Sequence, residues 1–256
     1  MNRDVSWLFE KPIAHRGACF GNIPENSMTA FREAIERGLV IELDIQCLRD
    51  GTIVVFHDFD TLRMTGRAGM LKYRNLESAK KLRLKGDGDE RMPTLREVLD
   101  LVDGKVGLMI ELKVIYSFKK LCDGLLKELE GYKGKVAIHG FSQRAIAYIA
   151  AHSDYPRGVV GMDYRKVALI GIYGHWLNRV AYFDRIDPDF LNYNLAHIPS
   201  PTTKRFKELG IPVMSWTIKN KKQFDNALTK SDNIVMETKF FDKDFTMRKF
   251  KEETTE

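Results

Sequence analysis

The stretch VGLMIELK (106–113), followed by SFKKLCDGLLKELEGY (117–132) and VAIHGF (136–141), decides the fold. An almost wholly apolar run of strand length, a helical pattern and a second apolar run form one β–α–β unit. Strands that are apolar on both faces belong to a parallel sheet covered by helices.

The alternation extends in both directions. PIAH (12–15) precedes ENSMTAFREAIERG (25–38), whose apolar positions Met28, Phe31 and Ile35 lead to Leu39 at helical spacing. Asn26 and Ser27 supply the start signal of that helix and Gly38 its stop. LVIELDI (39–45) reads as a strand, and the tight turn RDG (49–51) leads into TIVVFH (52–57), read as the next one. After Pro93, TLREVLDLV (94–102) resumes a helix, and QRAIAYIAAH (143–152) follows the strand VAIHGF. RGVVGM (157–162) predicts a strand, 165–177 a helix and RVAYF (179–183) a weaker strand. Helix PTTKRFKELG (201–210), strand IPVMSWTI (211–218), helix KKQFDNAL (221–228) and strand NIVME (233–237) finish the pattern.

About eight such units in 256 residues predict an α/β fold, a closed (β/α)8 TIM barrel, built as a single domain over 1–256. Residues 58–92 are polar, with glycines at 66, 69, 86 and 88, and read as a small insertion after the second strand region. No GxGxxG or GxxxxGK[ST] follows any strand, which argues against dinucleotide and P-loop folds.

The hydrophobic fraction of 44% and mean hydropathy of −0.31 suit a globular chain with a substantial core. Net charge is +6, but the basic runs KKLRLK (80–85), KNKK (219–222) and RKFK (248–251) are short and dispersed. With no zinc-finger or RRM-like pattern, the charge points to anionic small molecules and away from nucleic acid. Cys19, Cys47 and Cys122 are an odd number without CxxC, which suits a reducing compartment. MNRDVSWLFEKP (1–12) has no apolar leader core, and nowhere do about 18 apolar residues run together. The expectation is a soluble, cytoplasmic protein with no membrane insertion.

The chemistry gathers at strand ends. Glu42 and Asp44 are two apart in LVIELDI and leave the same face of their strand, as do Glu111 and Lys113 in GLMIELK. A buried ion-pair network explains one such pair. Three carboxylates against one lysine leave a net negative pocket, which one hard divalent cation, Mg²⁺ or Ca²⁺, would balance. His15 and His57 each close a strand, and Arg16 and Gly17 follow His15 where the backbone must turn. Barrel active sites lie at the C-terminal strand ends, and four strands place polar groups there. Two imidazoles can act as base and acid, while Arg16 and Lys113 can bind phosphate oxygens. This set meets the needs of phosphoryl transfer. The histidines at 139, 152, 175 and 197 lack that context and read as structural.

The ordered motifs HRG (15–17), PENS (24–27), AF (30–31), ELD (42–44), DG (50–51) and VFHD (55–58) resemble the glycerophosphodiester phosphodiesterase family. TLRMTG (61–66), MPTLREVLDLV (92–102), ELK (111–113), GFS (140–142) and SWTI (215–218) extend the resemblance along the chain. It implies a metal-dependent TIM-barrel hydrolase that cuts glycerophosphodiesters to sn-glycerol 3-phosphate and an alcohol. His15 and His57 would be its acid–base pair; Glu42, Asp44 and Glu111 would hold the metal; Arg16 and Lys113 would contact phosphate. Glu25 and Asn26 of the PEN motif would lie near the substrate, and Trp216 could pack against the glycerol. The 58–92 excursion would be the family's insertion. Ser27 stands where threonine is usual, and the closing DNIVMETK (232–239) departs from the family at Asn233, Met236 and Glu237.

The attacking group could be water or the substrate's own 2-hydroxyl, and either histidine could be the base. A lysophospholipase D or sphingomyelinase D activity would keep this site and add an apolar channel, for which Phe20, Tyr116 and Phe118 are candidates. A non-catalytic phosphodiester-binding barrel is the remaining alternative. The sequence leaves oligomeric state open.

Overall fold

The computed structural model describes residues 3–114, 117–166 and 183–241. Tyr116, His175 and almost all of the segments 165–177 and 179–183 lie outside the described residues.

Eight parallel strands close on themselves: β1 Ile13–His15, β2 Val40–Cys47, β4 Leu108–Leu112, β5 Val136–Gly140, β6 Arg157–Gly161, β7 Phe190–Asn194, β8 Val213–Ile218 and β9 Asn233–Met236. They pair in the order β1-β2-β4-β5-β6-β7-β8-β9, and β9 returns to β1. Helices cover the outside, among them α1 Met28–Glu36, α4 Leu95–Val102, α5 Phe118–Leu129, α6 Gln143–His152, α8 Pro201–Glu208 and α9 Lys221–Leu228. The fold is the predicted (β/α)8 barrel. Their starts are set locally, since the side chains of Ser27, Thr94, Ser117, Ser142, Ser200 and Asn220 each accept a backbone N–H of the first turn.

One predicted strand needs correction, and another lies almost wholly outside the described residues. The segment read as the strand TIVVFH forms β3, Ile53–Val55, which is no barrel stave. It runs antiparallel to β2, pairing Val55 with Ile45 and Ile53 with Cys47. The link Leu48–Thr52 is too short for a parallel crossover and long enough only for a hairpin. Of RVAYF only Phe183 is described, and it opens α7, Phe183–Ile186. The barrel strand of that region is β7, which the polar pattern FLNYN concealed.

The parity of each strand separates two cores. Ala14, Ile41, Leu43, Ile110, Ile138, Leu191 and Val213 face outward and pack with helical residues such as Phe31, Leu95 and Leu125. Ile13, Val40, Met109, Ala137, Phe190, Met214 and Val235 face inward and form one cluster with Trp7 and Leu8, which plug the N-terminal end. The inward positions two and four residues further along carry His15, Glu42, Asp44, Glu111, Lys113, His139, Asn192 and Trp216. The apolar plug and the polar mouth are thus successive layers of one barrel interior.

Residues 58–92 hold the short helices α2 Leu62–Thr65 and α3 Leu76–Lys80. Leu71, Ala79, Leu84 and Met92 make a small core with Leu48, Val54 and Phe56 of the hairpin. Among the described residues, no helix is long and apolar enough to cross a membrane.

Candidate active site

Asp44 is the centre of the polar mouth. Its Oδ2 accepts from Asn26 Nδ2 at 2.9 Å and lies 3.2 Å from Arg16 Nε, while its Oδ1 is 3.1 Å from Lys113 Nζ. These cations hold its carboxyl well below the usual carboxylate range against the opposing effect of complete burial. Lys113 also donates to Glu111 Oε1 at 2.6 Å, and Arg16 to Glu25 Oε1 at 2.6 Å.

The turn after β1 is bent around this centre. Arg16 has a left-handed backbone, φ 60°, and its N–H donates to Glu42 Oε2 at 3.0 Å. Asn26 is also left-handed, φ 53°, and its N–H donates to Arg16 O. Non-glycine residues are held in this region only where their surroundings over-determine it. Gly17, φ 85°, completes the turn; the Cβ it lacks would meet Ala30 Cβ at 2.8 Å. Close packing on α1, rather than room for a cation, requires this glycine. Ser27 caps α1 and its hydroxyl donates to Pro24 O, so the exchange from threonine keeps both contacts of the hydroxyl.

His15 and His57 reach the mouth by different routes. His15 ends β1 level with Glu42, fits the expected strand-end position, and has Nδ1 3.8 Å from Glu237 Oε1. His57 follows the antiparallel β3 and so descends toward the site from outside the barrel, which corrects its expected place at a parallel strand end. Its Nδ1 is 2.7 Å from Asp58 Oδ1. Burial pushes the ring of His15 well below its ordinary value, with Arg16 adding to the effect, and burial also lowers His57. The two imidazoles are close enough for a charge on His57 to lower His15 further. Arg63 donates to both Glu25 and Asp58, tying the 58–92 segment to the PEN turn.

The expected metal ligands Glu42, Asp44 and Glu111 all lie here, buried. Burial raises Glu42 well above its ordinary value, and raises Glu111 to about 7. Donor atoms of Glu42, Glu111 and His139 lie within 4.8 Å of one another, a grouping that fits a cation. Asp44 instead faces Arg16, Lys113 and Asn26. Glu25 is shared between Arg16 and Arg63, so the three buried carboxylates Glu42, Asp44 and Glu111 outnumber the cations Arg16 and Lys113 beside them, and Glu42 Oε1 is buried without a hydrogen bond. A divalent ion would balance that deficit.

His139 is the residue that the sequence reading left as structural. It is fully buried on β5 and level with Glu111 on β4, and burial lowers its ring to about 3. The usable signal was strand parity, since Ala137 and His139 share the inward face. Asn192, on the inward face of β7, was missed with its strand. His152 and His197 lie outside this group, stacked on Tyr148 and accepting from the Asp163 N–H respectively.

Trp216 donates from Nε1 to Asn192 O at 3.2 Å and stands edge-on to Phe141 at 5.7 Å. Of the three closing-motif departures, only Glu237 reaches the mouth, where it also pairs with Lys219 and Lys239. Asn233 donates to Lys11 O at the plugged end, and Met236 packs with Phe224 outside.

Two clefts flank the site. One, about 480 Å³, is lined by His15, Arg16, Glu25, Arg63, Lys85 and Glu237, among others. The second, about 550 Å³, adjoins His57, Glu111 and Lys113 and is walled by Phe59, Leu112, Val114 and Phe141. Phe20 and Phe118 line neither: Phe20 is buried beneath Arg37, and Phe118 packs edge-on against Tyr148.

The model of the glycerophosphoryl diester phosphodiesterase family matches residues 15–238. A glycerophosphodiester phosphodiesterase of Caldanaerobacter subterraneus subsp. tengcongensis is 31% identical over 234 residues, covering 87% of this chain and 92% of that protein. An Oleispira antarctica phosphodiesterase, solved with the product sn-glycerol-3-phosphate, superposes with TM-score 0.75 at 21% identity over 89% of this chain and 92% of that one. A glycerophosphodiester phosphodiesterase from Parabacteroides distasonis gives TM-score 0.74 at 19% identity over 95% and 98%.

Proposed function

This chain belongs to the glycerophosphoryl diester phosphodiesterase family, phosphoric diester hydrolases, and from that premise we propose that it hydrolyses glycerophosphodiesters to sn-glycerol 3-phosphate and an alcohol. The observation that carries the reading is the placement of His15 and His57 beside one buried carboxylate cluster, with a cleft on each side. A phosphodiester bound between His15 and His57 would extend one arm toward each cleft.

Arg16 and Lys113 would neutralise the phosphate oxygens, with Glu25 and Asn26 holding the turn that presents Arg16. One histidine would take the proton of the attacking water or 2-hydroxyl, and the other would return a proton to the leaving alkoxide. Burial lowers both rings, which suits the histidine that acts as base, while the one that acts as acid must enter turnover protonated. Asp58 beside His57 and Glu237 beside His15 favour the protonated ring that each forms during turnover. Glu42, Asp44 and Glu111 would hold one divalent cation, Mg²⁺ or Ca²⁺, which when bound supplies charge stabilisation at the non-bridging oxygens. Trp216, part-exposed beside Phe141, would contact the glycerol from the barrel rim.

We take residues 1–256 as one domain with 58–92 inserted. Free Cys19, Cys47 and Cys122 support a cytoplasmic setting. The apolar wall of Phe59, Leu112, Val114 and Phe141 favours a second reading, a lipid diester such as a lysophospholipid. A panel of glycerophosphodiesters, run with Mg²⁺, Mn²⁺ or Ca²⁺ and again with chelator, tests the function. Release of choline from glycerophosphocholine faster than from lysophosphatidylcholine supports the first reading, and the reverse order the second. Hydrolysis of none would leave only a binding barrel.

A further inference from the structure

Two unpartnered nitrogens stand inside the carboxylate cluster. His139 has 0% exposure, and neither Nδ1 nor Nε2 has a hydrogen-bond partner. Leaving a buried polar group unpaired is costly, and such groups in a folded protein call for a specific cause. The nearby aromatic ring, Phe190, is tilted at 6.1 Å and offers no acceptor in the ring plane. Glu42 Oε1, equally buried, also lacks a partner. The three side chains come from adjacent staves: Glu42 on β2, Glu111 on β4 and His139 on β5, the last two directly level. Their donor atoms already lie within 4.8 Å of one another.

We propose that His139 gives a ring nitrogen to the cation held by Glu42 and Glu111, so that this chain's metal site is a mixed nitrogen–oxygen one. The inference rests on the cation site proposed above and goes beyond it in naming a ligand outside the three expected carboxylates. Barrel geometry supports the set: strands hold Glu111 and His139 rigidly at one level, and burial limits the ring to short rotations. An imidazole in place of an oxygen donor favours Mn²⁺, Co²⁺ or Zn²⁺ over Mg²⁺ and Ca²⁺, which prefer oxygen alone. Asp44, already engaged by Arg16, Lys113 and Asn26, would then complete the charge balance around the ion.

The test needs no turnover. Metal-free full-length protein is loaded with Mn²⁺, and pulsed electron paramagnetic resonance looks for ¹⁴N coupling to the ion. Coupling is expected in the wild type and in His57→Gln, and is expected to vanish in His139→Gln. Calorimetric titration should show Mn²⁺ affinity falling roughly 10- to 100-fold in His139→Gln, the range seen when a metal site loses a supporting partner, with Mg²⁺ affinity changing much less. If wild-type protein binds Mn²⁺ with no ¹⁴N coupling, His139 is not a ligand and the carboxylate site stands without it. Coupling that persists in a folded His139→Gln protein overturns the assignment equally. If the wild type binds no divalent cation, the metal site itself fails. The wild-type spectrum decides even if the variant does not fold.

Discussion

His57 Nδ1 lies 2.7 Å from Asp58 Oδ1, so a residue and its immediate neighbour in the chain form a buried-edge acid–base pair. Arg63 holds the same carboxylate from the other side, with Nε 2.5 Å from Asp58 Oδ2. Asp58 therefore cannot swing away, and the proton on Nδ1 is directed to it. That leaves Nε2 of His57 to face the cleft.

Asp58→Asn should keep the ring in place while withdrawing the support for its charged form. Expected is a fall in kcat of roughly 10-fold, a fraction of the 10²- to 10⁴-fold that acid–base help contributes in full, with KM nearly unchanged. Steady-state kinetics on the preferred diester measure this. An unchanged kcat would remove Asp58 from the mechanism.

His15→Ala and His57→Ala should each lower kcat by roughly 10²- to 10⁴-fold with circular dichroism unaltered. Because the two act on one proton circuit, the double variant should be little slower than either single one. Additive losses would show that the rings act in separate steps.

Metal-free protein should carry a pH signature from Glu111, whose carboxyl is raised from 4.5 to about 7. Between those values the folded chain binds more protons than the unfolded one, so this group's contribution to stability is present below about pH 4.5 and is lost as pH rises toward 7. The Tm difference between the wild type and Glu111→Gln, both in chelator, should therefore shift against the wild type over that interval. Added divalent cation should raise the wild-type Tm more at pH 8 than at pH 5. A flat difference across the interval would contradict a Glu111 carboxyl raised by burial despite its pairing with Lys113.

Gly17→Ala should destabilise more than Gly21→Ala. Both positions have positive φ, 85° and 59°, but only at 17 would the new methyl meet another residue, Ala30 Cβ at 2.8 Å. The strained backbone costs on the order of 1–2 kcal/mol at each site, and overpacking adds roughly 1–3 kcal/mol at 17 alone. Chemical denaturation of the two variants compares them; equal losses would mean α1 moves aside freely.

Much of this site was legible because parallel-barrel strands repeat every two residues. Glu42 with Asp44, and Glu111 with Lys113, are recognisable as same-face pairs within single apolar runs. The same parity marks His139, two residues after Ala137, yet one histidine among apolar neighbours looks like any core histidine until Glu111 is found level with it. The sequence reads His57 as closing a parallel stave, whereas it follows an antiparallel strand, because local patterning does not distinguish a hairpin return from a stave. The connection Leu48–Thr52 holds that information, since parallel neighbours need a crossover many residues longer. β7 escaped because Asn192 and Asn194 interrupt its apolar run; Asn192 is tolerated inside only by the polar layer that surrounds it.

The sequence by itself determined the alternating β and α units and the helix caps, because these depend on residues within a few positions of one another. Only the tertiary structure decided that Arg63 joins Glu25 to Asp58, that Glu237 stands by His15, and that His139 shares the carboxylate cluster. Those pairings are set by which staves become neighbours and at what stagger. Closure of the whole barrel fixes that stagger, and no single strand encodes it.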